Sequence, residues 1–372
     1  MSRDLDALIL GGGPAGAALG MLLARAGRRV TILEKTYAAH DKVCGEFLSH
    51  EAVRYLRALG VEPATLGARP VSYVRLAGRK LFGECALPFT GISLTRRVLD
   101  EVLLTRAREA GAHVERGSCV EALEATHECW VARLASGETR RATAAFLATG
   151  KHDLRGWKRP PGRQNGLVAF KMYFQLARDD DAELESRVEL ILFPGGYAGL
   201  LFLPGGVMNL CLLVRRAMLQ RLGGRWVNVL DHIQSCSPYF ARYLCGATPL
   251  LEKPLALSSI PYGYLRRDAR DGLWRLGDQA AVIPSFSGDG ISIALHSAHL
   301  AAEHFVAGSS ADEYQRNLHA QLRGPVKAAT VVAQLMVAAP SLASGVRLWP
   351  RALAVITRRT RIPQAALVAA FL

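Results

Sequence analysis

Three glycines near the start of the chain, Gly11, Gly13 and Gly16, have the G-x-G-x-x-G spacing of a phosphate-binding turn. A short apolar strand precedes them, and an apolar helix that begins with Pro14 and Ala15 follows. Gly11 permits a tight turn, Gly13 leaves room for a pyrophosphate, and Gly16 lets the helix lie close to the strand. The free N–H groups and the positive dipole at the start of the helix favour bound phosphates. The sequence therefore predicts a dinucleotide site here.

An acidic residue follows this turn at the distance that such a site requires. The second apolar strand of the chain ends at Glu34, eighteen residues after Gly16. A carboxylate there can accept hydrogen bonds from the hydroxyls of the adenosine ribose. We count the adjacent Lys35 with Glu34 as a cofactor-binding candidate. A G-x-G-x-x-G alone is a weak signal, but the order strand, helix, strand and acid makes the prediction specific.

A second glycine-rich stretch lies far along the chain and indicates the kind of dinucleotide. A strand-like segment ends at Gly277-Asp278, and Pro284 and the turn Gly288-Asp289-Gly290-Ile291 follow before an amphipathic helix. Asp278 would accept hydrogen bonds at the rim of the nucleotide crevice, and the turn would aim a helix N-terminus inward. A flavin requires both features, because its ribityl hydroxyls need an acceptor and its ring becomes anionic on reduction.

With these motifs the sequence resembles the para-hydroxybenzoate-hydroxylase-like superfamily of FAD-dependent oxidoreductases. Within this superfamily it is most similar to the branch that holds geranylgeranyl reductases and flavin-dependent halogenases. The resemblance covers nearly the whole chain and implies that FAD is the cofactor and NAD(P)H the reductant. It also implies that Arg96, at the start of a helix, contacts the flavin side of FAD, and that the backbone at Val120 contacts adenine. The ribityl chain and flavin ring are then expected at Asp278, Pro284 and residues 288–291.

Two departures from the family pattern narrow this resemblance. Many hydroxylases of the group carry an Asp-Gly motif that is linked to binding FAD and the nicotinamide donor. Residues 150–156 read Gly-Lys-His-Asp-Leu-Arg-Gly at that place, so the sequence leaves open how, and whether, NAD(P)H binds. The halogenases carry a Trp-x-Trp-x-Ile-Pro stretch, whereas the five tryptophans of this chain are isolated from one another. We therefore do not expect halogenation.

Cys44 and Glu46 are the catalytic candidates. They lie in the stretch Lys42-Val-Cys-Gly-Glu46, which resembles a segment that geranylgeranyl reductases place beside the flavin. A thiol at this place could protonate a reduced double bond, aided by a nearby cation such as Lys42. Glu46 could bind the substrate or tune the thiol. The alternative interpretation is that Cys44 fills a tight loop and that Glu46 caps the helix that opens near Ser49.

The remaining pattern predicts an α/β fold with two sheets. A glutathione-reductase-type, Rossmann-like FAD-binding domain is interrupted by an antiparallel-sheet substrate domain, because apolar strands with glycine-rich turns fill residues 166–215. Thr95 is predicted to cap a helix over residues 95–111. The predicted segments are residues 1–75, 92–160 and 265–310 for the FAD-binding domain, 76–91 and 161–264 for the substrate domain, and 311–372 for a C-terminal helical region.

The net charge and the cysteine content limit which partners and which cellular compartment are plausible. The net charge of +14 would suit nucleic acid, an anionic membrane surface or an acidic substrate, but no nucleic-acid motif accompanies it. Residues 7–24 carry no charge, yet five glycines and a proline there argue against a signal peptide or a membrane span. The seven cysteines form no C-x-x-C pair, which predicts a reducing cytoplasm rather than disulfides or zinc.

His296, His299 and His304 share a predicted helix without a partnering acid or cysteine, so we expect surface histidines and no metal site.

The end of the chain is strongly basic. Residues 325–372 contain no acidic residue and hold six basic ones: Lys327, Arg347, Arg351, Arg358, Arg359 and Arg361. Apolar helices with a break at Pro340 are predicted here. Such a surface would bind peripherally to the inner face of an anionic membrane and receive a lipophilic substrate from it. The alternative is that these helices cover the FAD-binding domain and that the arginines are solvated.

Three functions are compatible with the sequence. The first is an FAD-dependent monooxygenase for a lipophilic or aromatic small molecule, with a pocket lined by the aromatic strands over residues 167–214. The second is a reductase of isolated double bonds in a lipid, with Cys44 as the proton donor. The third is a flavoprotein that modifies or escorts a partner protein through its basic surface. Oxygen uptake coupled to product distinguishes the first from the second.

Overall fold

A computed structural model describes residues 5–79, 81–177, 186–338 and 351–369 of the chain. Its strands, in chain order, are β1 (Leu5–Leu10), β2 (Val30–Glu34), β3 (Phe47–Leu48), β4 (Arg69–Ala77), β5 (Leu81–Ser93), β6 (His113–Arg116), β7 (Val120–Ala125), β8 (Trp130–Leu134), β9 (Thr139–Leu147), β10 (Leu167–Gln175), β11 (Arg187–Phe193), β12 (Gly196–Leu203), β13 (Val207–Arg215), β14 (Thr248–Pro249), β15 (Leu255–Ser258) and β16 (Trp274–Arg275). Its helices are α1 (Pro14–Arg25), α2 (His50–Ala58), α3 (Arg96–Glu109), α4 (Arg216–Arg221), α5 (Trp226–Cys236), α6 (Pro238–Leu244), α7 (Gly290–Val306), α8 (Ala311–Ala338), α9 (Arg351–Arg359) and α10 (Gln364–Ala369).

The first sheet is built around the N-terminal strand and has the order β6-β2-β1-β9-β8-β7, with β16 beside β9. β1 pairs in parallel with β2 and with β9, so that Leu8 lies opposite Thr31 and Ala145. Residues on both faces of β1 and β2 are buried, which explains their continuous apolar sequence. Because α1 connects β1 to β2, the glycine-rich turn lies at the carboxyl edge of this sheet, where open α/β sheets bind ligands.

The second sheet has the order β14-β10-β13-β12-β11-β4-β5-β3, with β15 beside β10. β10 to β13 pair as antiparallel neighbours, and short glycine turns join β11 to β12 and β12 to β13, as predicted. β4 and β11 pair in parallel, because β4 comes from a much earlier part of the chain. One face of the sheet packs against α5 and α6 through Val229, Ile233 and Phe240. The other face lies against the first unit and α8.

This architecture confirms the predicted α/β class, with a first sheet of FAD-domain type that is parallel around β1 and antiparallel at β7 and β8, a largely antiparallel second sheet and C-terminal helices. The predicted boundaries near residues 75 and 92 need correction, because they fall inside β4 and β5, which both belong to the second sheet. These strands form one hairpin in which Arg69 lies opposite Ser93, so they cannot be divided between two sheets. By sheet membership residues 69–93 belong to the second unit, and the rest of the domain division stays a prediction.

The C-terminal helices return to the first unit. Ile362 and Leu367, which follow α9, are buried in the apolar core around α1 and α7. Arg358 and Arg359, at the end of α9, are exposed. The predicted break at Pro340 and the basic Arg347 lie outside the described residues. Among the described helices, none is both long and apolar enough to cross a membrane.

Candidate functional site

The glycine-rich turn has the geometry that its sequence predicts. Gly11 has a φ of 108°, and a Cβ there would lie 2.5 Å from the carbonyl oxygen of Ala148. A Cβ on Gly16 would lie 1.9 Å from the carbonyl oxygen of Gly11, which is closer than atoms can approach. These two glycines are therefore required by the fold itself. A Cβ on Gly13 would meet nothing nearer than the Arg96 Nη2 atom, at 3.7 Å, so this position borders open space.

Glu34 lies beside this turn as an ionised hydrogen-bond acceptor. Its carboxylate accepts hydrogen bonds from the backbone N–H of Gly12 at 2.8 Å and from the N–H and hydroxyl of Thr36 at 3.0 and 2.8 Å. Burial raises the pKa of Glu34, but these hydrogen bonds outweigh it and hold the pKa below its ordinary value. Lys35 is exposed to solvent. Ser118, two residues before Val120, donates its N–H to the Glu34 carbonyl, which brings the Val120 segment to this edge.

Arg96 begins α3 and is held by a bidentate ion pair. Its Nε and Nη2 atoms each lie 2.8 Å from the carboxylate of Asp100, one turn along the helix. Lys42 donates to the same carboxylate at 2.8 Å. Burial raises the pKa of Asp100, but Arg96 and Lys42 hold it below its usual range. The predicted Thr95 cap is confirmed, because its hydroxyl accepts the N–H of Val98.

The loop that holds Cys44 turns sharply at Glu46. Glu46 has a φ of 61°, a left-handed conformation that costs free energy for a residue with a side chain. The backbone N–H of Glu46 donates to the Cys44 Sγ atom at 3.3 Å. Cys44 is half-buried. Burial lowers the pKa of Arg96, but its charge interactions with Asp100 and, to a smaller extent, with Cys44 raise it. The thiol therefore accepts a backbone hydrogen bond in the neighbourhood of a cation.

Glu46 itself is fully buried among donors that satisfy its carboxylate. Its Oε1 atom lies 2.7 Å from the Lys171 Nζ and accepts the Tyr173 hydroxyl at 2.7 Å. Asn209 donates its side-chain amide to the Oε2 atom at 3.2 Å. The first N–H of α3, that of Arg96, donates to Oε1 at 2.8 Å. Glu46 thus caps α3, whereas the sequence analysis considered it as a cap for the helix near Ser49.

The second glycine-rich stretch meets the first at the same edge of the sheet. A Cβ built on Gly277 would lie 3.4 Å from the Ala15 side chain and 3.5 Å from that of Ala294. The first turns of α1 and α7 are therefore neighbours. Asp278 is partly exposed there and lies 3.5 Å from the Lys151 ammonium. Pro284 and residues 288–291 follow in the approach to α7.

These residues fit the FAD that their sequence pattern implies. Gly13 leaves space in front of the N-terminus of α1, whose first turn carries no side-chain cap. Such a cradle of free N–H groups is suited to a pyrophosphate. Glu34 on one side and Asp278 on the other would accept hydrogen bonds from the ribose and ribityl hydroxyls. Asp289 stands apart, because its carboxylate is buried and lies 2.6 Å from Arg361 rather than facing the crevice.

A cavity of about 270 Å³ lies between the second sheet, residues 285–288 and the C-terminal helices. Valine and leucine side chains of β4, β11 and β12 supply one wall, and α8 and α9 supply another through Leu335, Met336 and Ile356. Tyr197 reaches the turn, where its hydroxyl lies 3.0 Å from the Ser285 hydroxyl. Burial raises the pKa of the lining Cys211 thiol to about 12, so this thiol is neutral. Most of the lining is apolar, and its polar side chains, Ser285, Ser287, Thr357, Thr360 and Arg361, lie at the turn and on the C-terminal segment.

The expectation of surface histidines is wrong for two of the three. His296 is completely buried and His299 nearly so, because α7 is packed between α1, α2 and α8. His296 lies 2.6 Å from both the Tyr55 hydroxyl and the Gln321 amide oxygen. Burial lowers the pKa of His296 to about 4, so it stays neutral at physiological pH. In the described part of the chain, no cluster of potential ligands is suited to a metal ion.

The structure brings three side chains to Glu46 that the sequence pattern does not assign to it. Lys171, Tyr173 and Asn209 lie in the strands predicted to form an apolar sheet and to line a substrate pocket. A lysine in the middle of a buried strand is itself a signal, because a charge is rarely buried without a partner. The sequence does not say which partner that is. The Arg361–Asp289 pair was missed for the same reason.

Residues 4–150 match a family model described as an FAD binding domain. The chain is 26% identical over 334 residues to menaquinone reductase of Mycobacterium tuberculosis, over 80% of this chain and 76% of that protein. It is 27% identical to digeranylgeranylglycerophospholipid reductase 2 of Methanopyrus kandleri, over 83% of this chain and 78% of that protein. Conditioned medium factor receptor 1 of Dictyostelium discoideum is 25% identical over 80% of this chain, which spans 62% of that protein.

Solved structures show the same fold. The myxobacterial chondrochloren halogenase CndH superposes with a TM-score of 0.79 at 20% identity, over 96% of this chain and 91% of that one. A variant of P. aeruginosa PqsL superposes with a TM-score of 0.76 at 18% identity, over 92% of this chain and 99% of that one. The chain thus carries an FAD binding domain over residues 4–150, is similar in sequence to the two reductases, and has the fold of the halogenase and of PqsL.

Replacing Gly13 with leucine is expected to give a folded protein that does not bind FAD. The position borders open space, so the side chain fits the fold but occupies the place of the pyrophosphate. Flavin absorbance per chain after incubation with FAD, together with thermal melting, measures both effects. Gly324→Leu, at an open position in α8, is the control and should keep FAD. Full FAD occupancy in Gly13→Leu would contradict this assignment.

Proposed function

We propose that this chain is an FAD-dependent monooxygenase that acts on a lipophilic or aromatic small molecule, with NAD(P)H supplying the electrons. The observation that carries the proposal is the apolar cavity, which adjoins the turn expected to face the flavin. A pocket of this kind buries an apolar substrate and excludes water from the reaction. One oxygen atom of O₂ would enter the product and the other would leave as water, with NAD(P)H and a proton consumed.

When bound, FAD supplies the electron transfer and the activation of oxygen. The side chains of this protein would bind and orient the cofactor and the substrate, and they would exclude water. Arg96 would face the flavin side of the cofactor, with its position set by Asp100. The N-terminus of α7 would stabilise negative charge on the reduced ring. Leu335, Met336 and Ile356 keep the substrate side dry.

Reduction of a lipid double bond is the second candidate, and the surroundings of Cys44 favour it. The Cys44 thiol accepts the N–H of Glu46 and lies near the charge of Arg96, and the next residue, Gly45, lines the cavity. A thiol beside this cavity would act as a proton donor to a bound substrate. Relatives named as reductases of menaquinone and of digeranylgeranylglycerophospholipid are consistent with this chemistry.

The surface near the cavity supports delivery of a lipophilic substrate from a membrane. Leu335 and Val355 are about half exposed, and Arg358 and Arg359 are exposed on the same helix as Val355. Leu335 also lines the cavity. Apolar side chains beside arginines are typical of a surface that binds anionic lipid peripherally.

Oxygen consumption and Cys44→Ala separate the two reactions. The FAD-loaded protein is incubated with a cell lipid extract, and the retained molecule is identified by mass spectrometry and then used as substrate. A monooxygenase consumes one O₂ per product, which gains an oxygen atom, and Cys44→Ala keeps its turnover. A reductase adds two hydrogen atoms without O₂, and loss of its proton donor should lower turnover by about 10²–10⁴-fold. Cys119→Ala, at an exposed site, is the control. Anaerobic turnover that Cys44→Ala abolishes would contradict the monooxygenase.

Gly199 is expected to set how large a substrate the cavity accepts. It lies within β12 opposite Cys211, and a Cβ there would make only ordinary contacts of 3.7 and 3.8 Å. Gly199→Ala should stabilise the protein by about 0.5–1 kcal/mol, whereas Gly199→Leu should fold but raise the KM of the retained substrate about tenfold. Gly324→Ala should stabilise the protein without changing KM. An unchanged KM in Gly199→Leu would show that the substrate does not reach β12.

Binding to anionic liposomes tests the membrane proposal. The protein should co-sediment with vesicles containing phosphatidylglycerol at low salt and be released as salt rises, because each arginine near the surface contributes about 1 kcal/mol. Reversing both Arg358 and Arg359 to glutamate should abolish sedimentation. The same reversal at the exposed pair Arg215 and Arg216 is the charge-matched control. Equal recovery with neutral and anionic vesicles would contradict the proposal.

A further inference from the structure

One charged side chain of the C-terminal segment (residues 354–369) contacts the turn beside the candidate FAD site. Arg361 is about nine-tenths buried, and its Nη1 atom lies 2.6 Å from the Asp289 carboxylate. Its Nη2 donates to the Ser287 carbonyl at 3.3 Å. The guanidinium also lies over the ring of Phe89, 4.2 Å from its centre. Arg361 therefore joins the end of the chain to the turn that precedes α7.

The turn depends on this arginine for its charge balance. Asp289 is completely buried, and its Oδ2 atom has no hydrogen-bond partner. Glu51, from α2, is also buried and lies 3.6 Å from the Arg361 Nη1 atom. The nearby His50 lies 3.2 Å from the Glu51 carboxylate. Two buried carboxylates thus share one arginine, and removing it would leave them without a permanent countercharge.

The same segment forms part of the substrate cavity. Ile356, Thr357, Thr360 and Arg361 line it on one side, and Ser287 and Gly288 line it on the other. Ile362 and Leu367 attach the segment to the core of the first unit through apolar contacts. The ion pair of Arg361, in contrast, attaches the segment to the turn that holds Ser287 and Asp289. The Arg361–Asp289 ion pair therefore links the wall of the cavity to the turn that precedes α7.

We propose that Arg361 is a positioning residue that couples FAD binding to completion of the substrate cavity. FAD contacts made by residues 288–291 stabilise the turn, the turn holds Asp289 in place, and Asp289 holds the C-terminal segment against the cavity. The coupling is reciprocal, so that a substrate in the cavity strengthens FAD binding. This inference rests on the proposed function, since it takes FAD as the group bound at this turn.

Hydrogen exchange of residues 354–369, followed by mass spectrometry, tests the coupling. In the wild-type protein, saturation with FAD should slow exchange of this segment about tenfold, a usual size for coupling between sites. Arg361→Ala should exchange rapidly with or without FAD, and Arg361→Lys should restore part of the protection. Arg359→Ala, at the exposed neighbouring arginine, should behave as the wild type does. If Arg361→Ala fails to fold, Asp289→Asn removes the same ion pair with little change of shape.

A second measurement reports on the cavity directly. The neutral apolar dye N-phenyl-1-naphthylamine should bind the FAD-loaded protein about tenfold more tightly than the FAD-free protein, and Arg361→Ala should lose this difference. Exchange and dye binding that are unaffected by FAD, in a protein with one FAD per chain, would overturn the coupling alone. A protein that binds no FAD would instead overturn the proposed function. An FAD effect that persists in both Arg361→Ala and Asp289→Asn would show that Arg361 is not the link.

Discussion

The buried ion pair between Glu46 and Lys171 is the contact on which the arrangement of the site depends. Glu46 comes from the loop after β2, and Lys171 comes from the second sheet, so the pair joins the two units. Both side chains are fully buried, and breaking such a pair by removing one partner typically costs about 3–5 kcal/mol. Tyr173, Asn209 and the N-terminus of α3 satisfy the rest of the carboxylate. Together these donors hold the Cys44 loop in its left-handed turn.

Several charged residues of this site serve to position the backbone rather than to face the cavity. Glu46 caps α3, Asp100 orients Arg96, and Asp289 holds Arg361. The substrate cavity itself is lined mostly by apolar side chains, with Gly45, the neighbour of the half-buried Cys44, at its wall. This division is suited to a flavoenzyme, because the cofactor supplies the reactive chemistry and the protein supplies orientation and a dry environment.

Local features of the sequence predicted the backbone geometry of the first glycine-rich turn and the start of α3. A strand that turns directly into a helix requires glycine at positions 11 and 16, and the free N–H groups at the start of a helix require a side-chain acceptor such as Thr95. The boundary within β4 and β5 was missed, because strand pairing is decided by partners far away in the chain. The burial of His296 was missed since α7 is covered on several sides by helices that the sequence alone does not place.

The sequence by itself determined the nucleotide cradle, the acceptor at Glu34, the second glycine-rich turn and the α/β class. Each of these depends on residues within about one strand–helix–strand unit, where spacing along the chain is also spacing in the fold. Only the tertiary structure decided that Glu46 meets Lys171, that Asp289 meets Arg361, and that β12 and α9 enclose one cavity. Those contacts join residues far apart in the chain, and a buried charge shows that it needs a partner without showing which one.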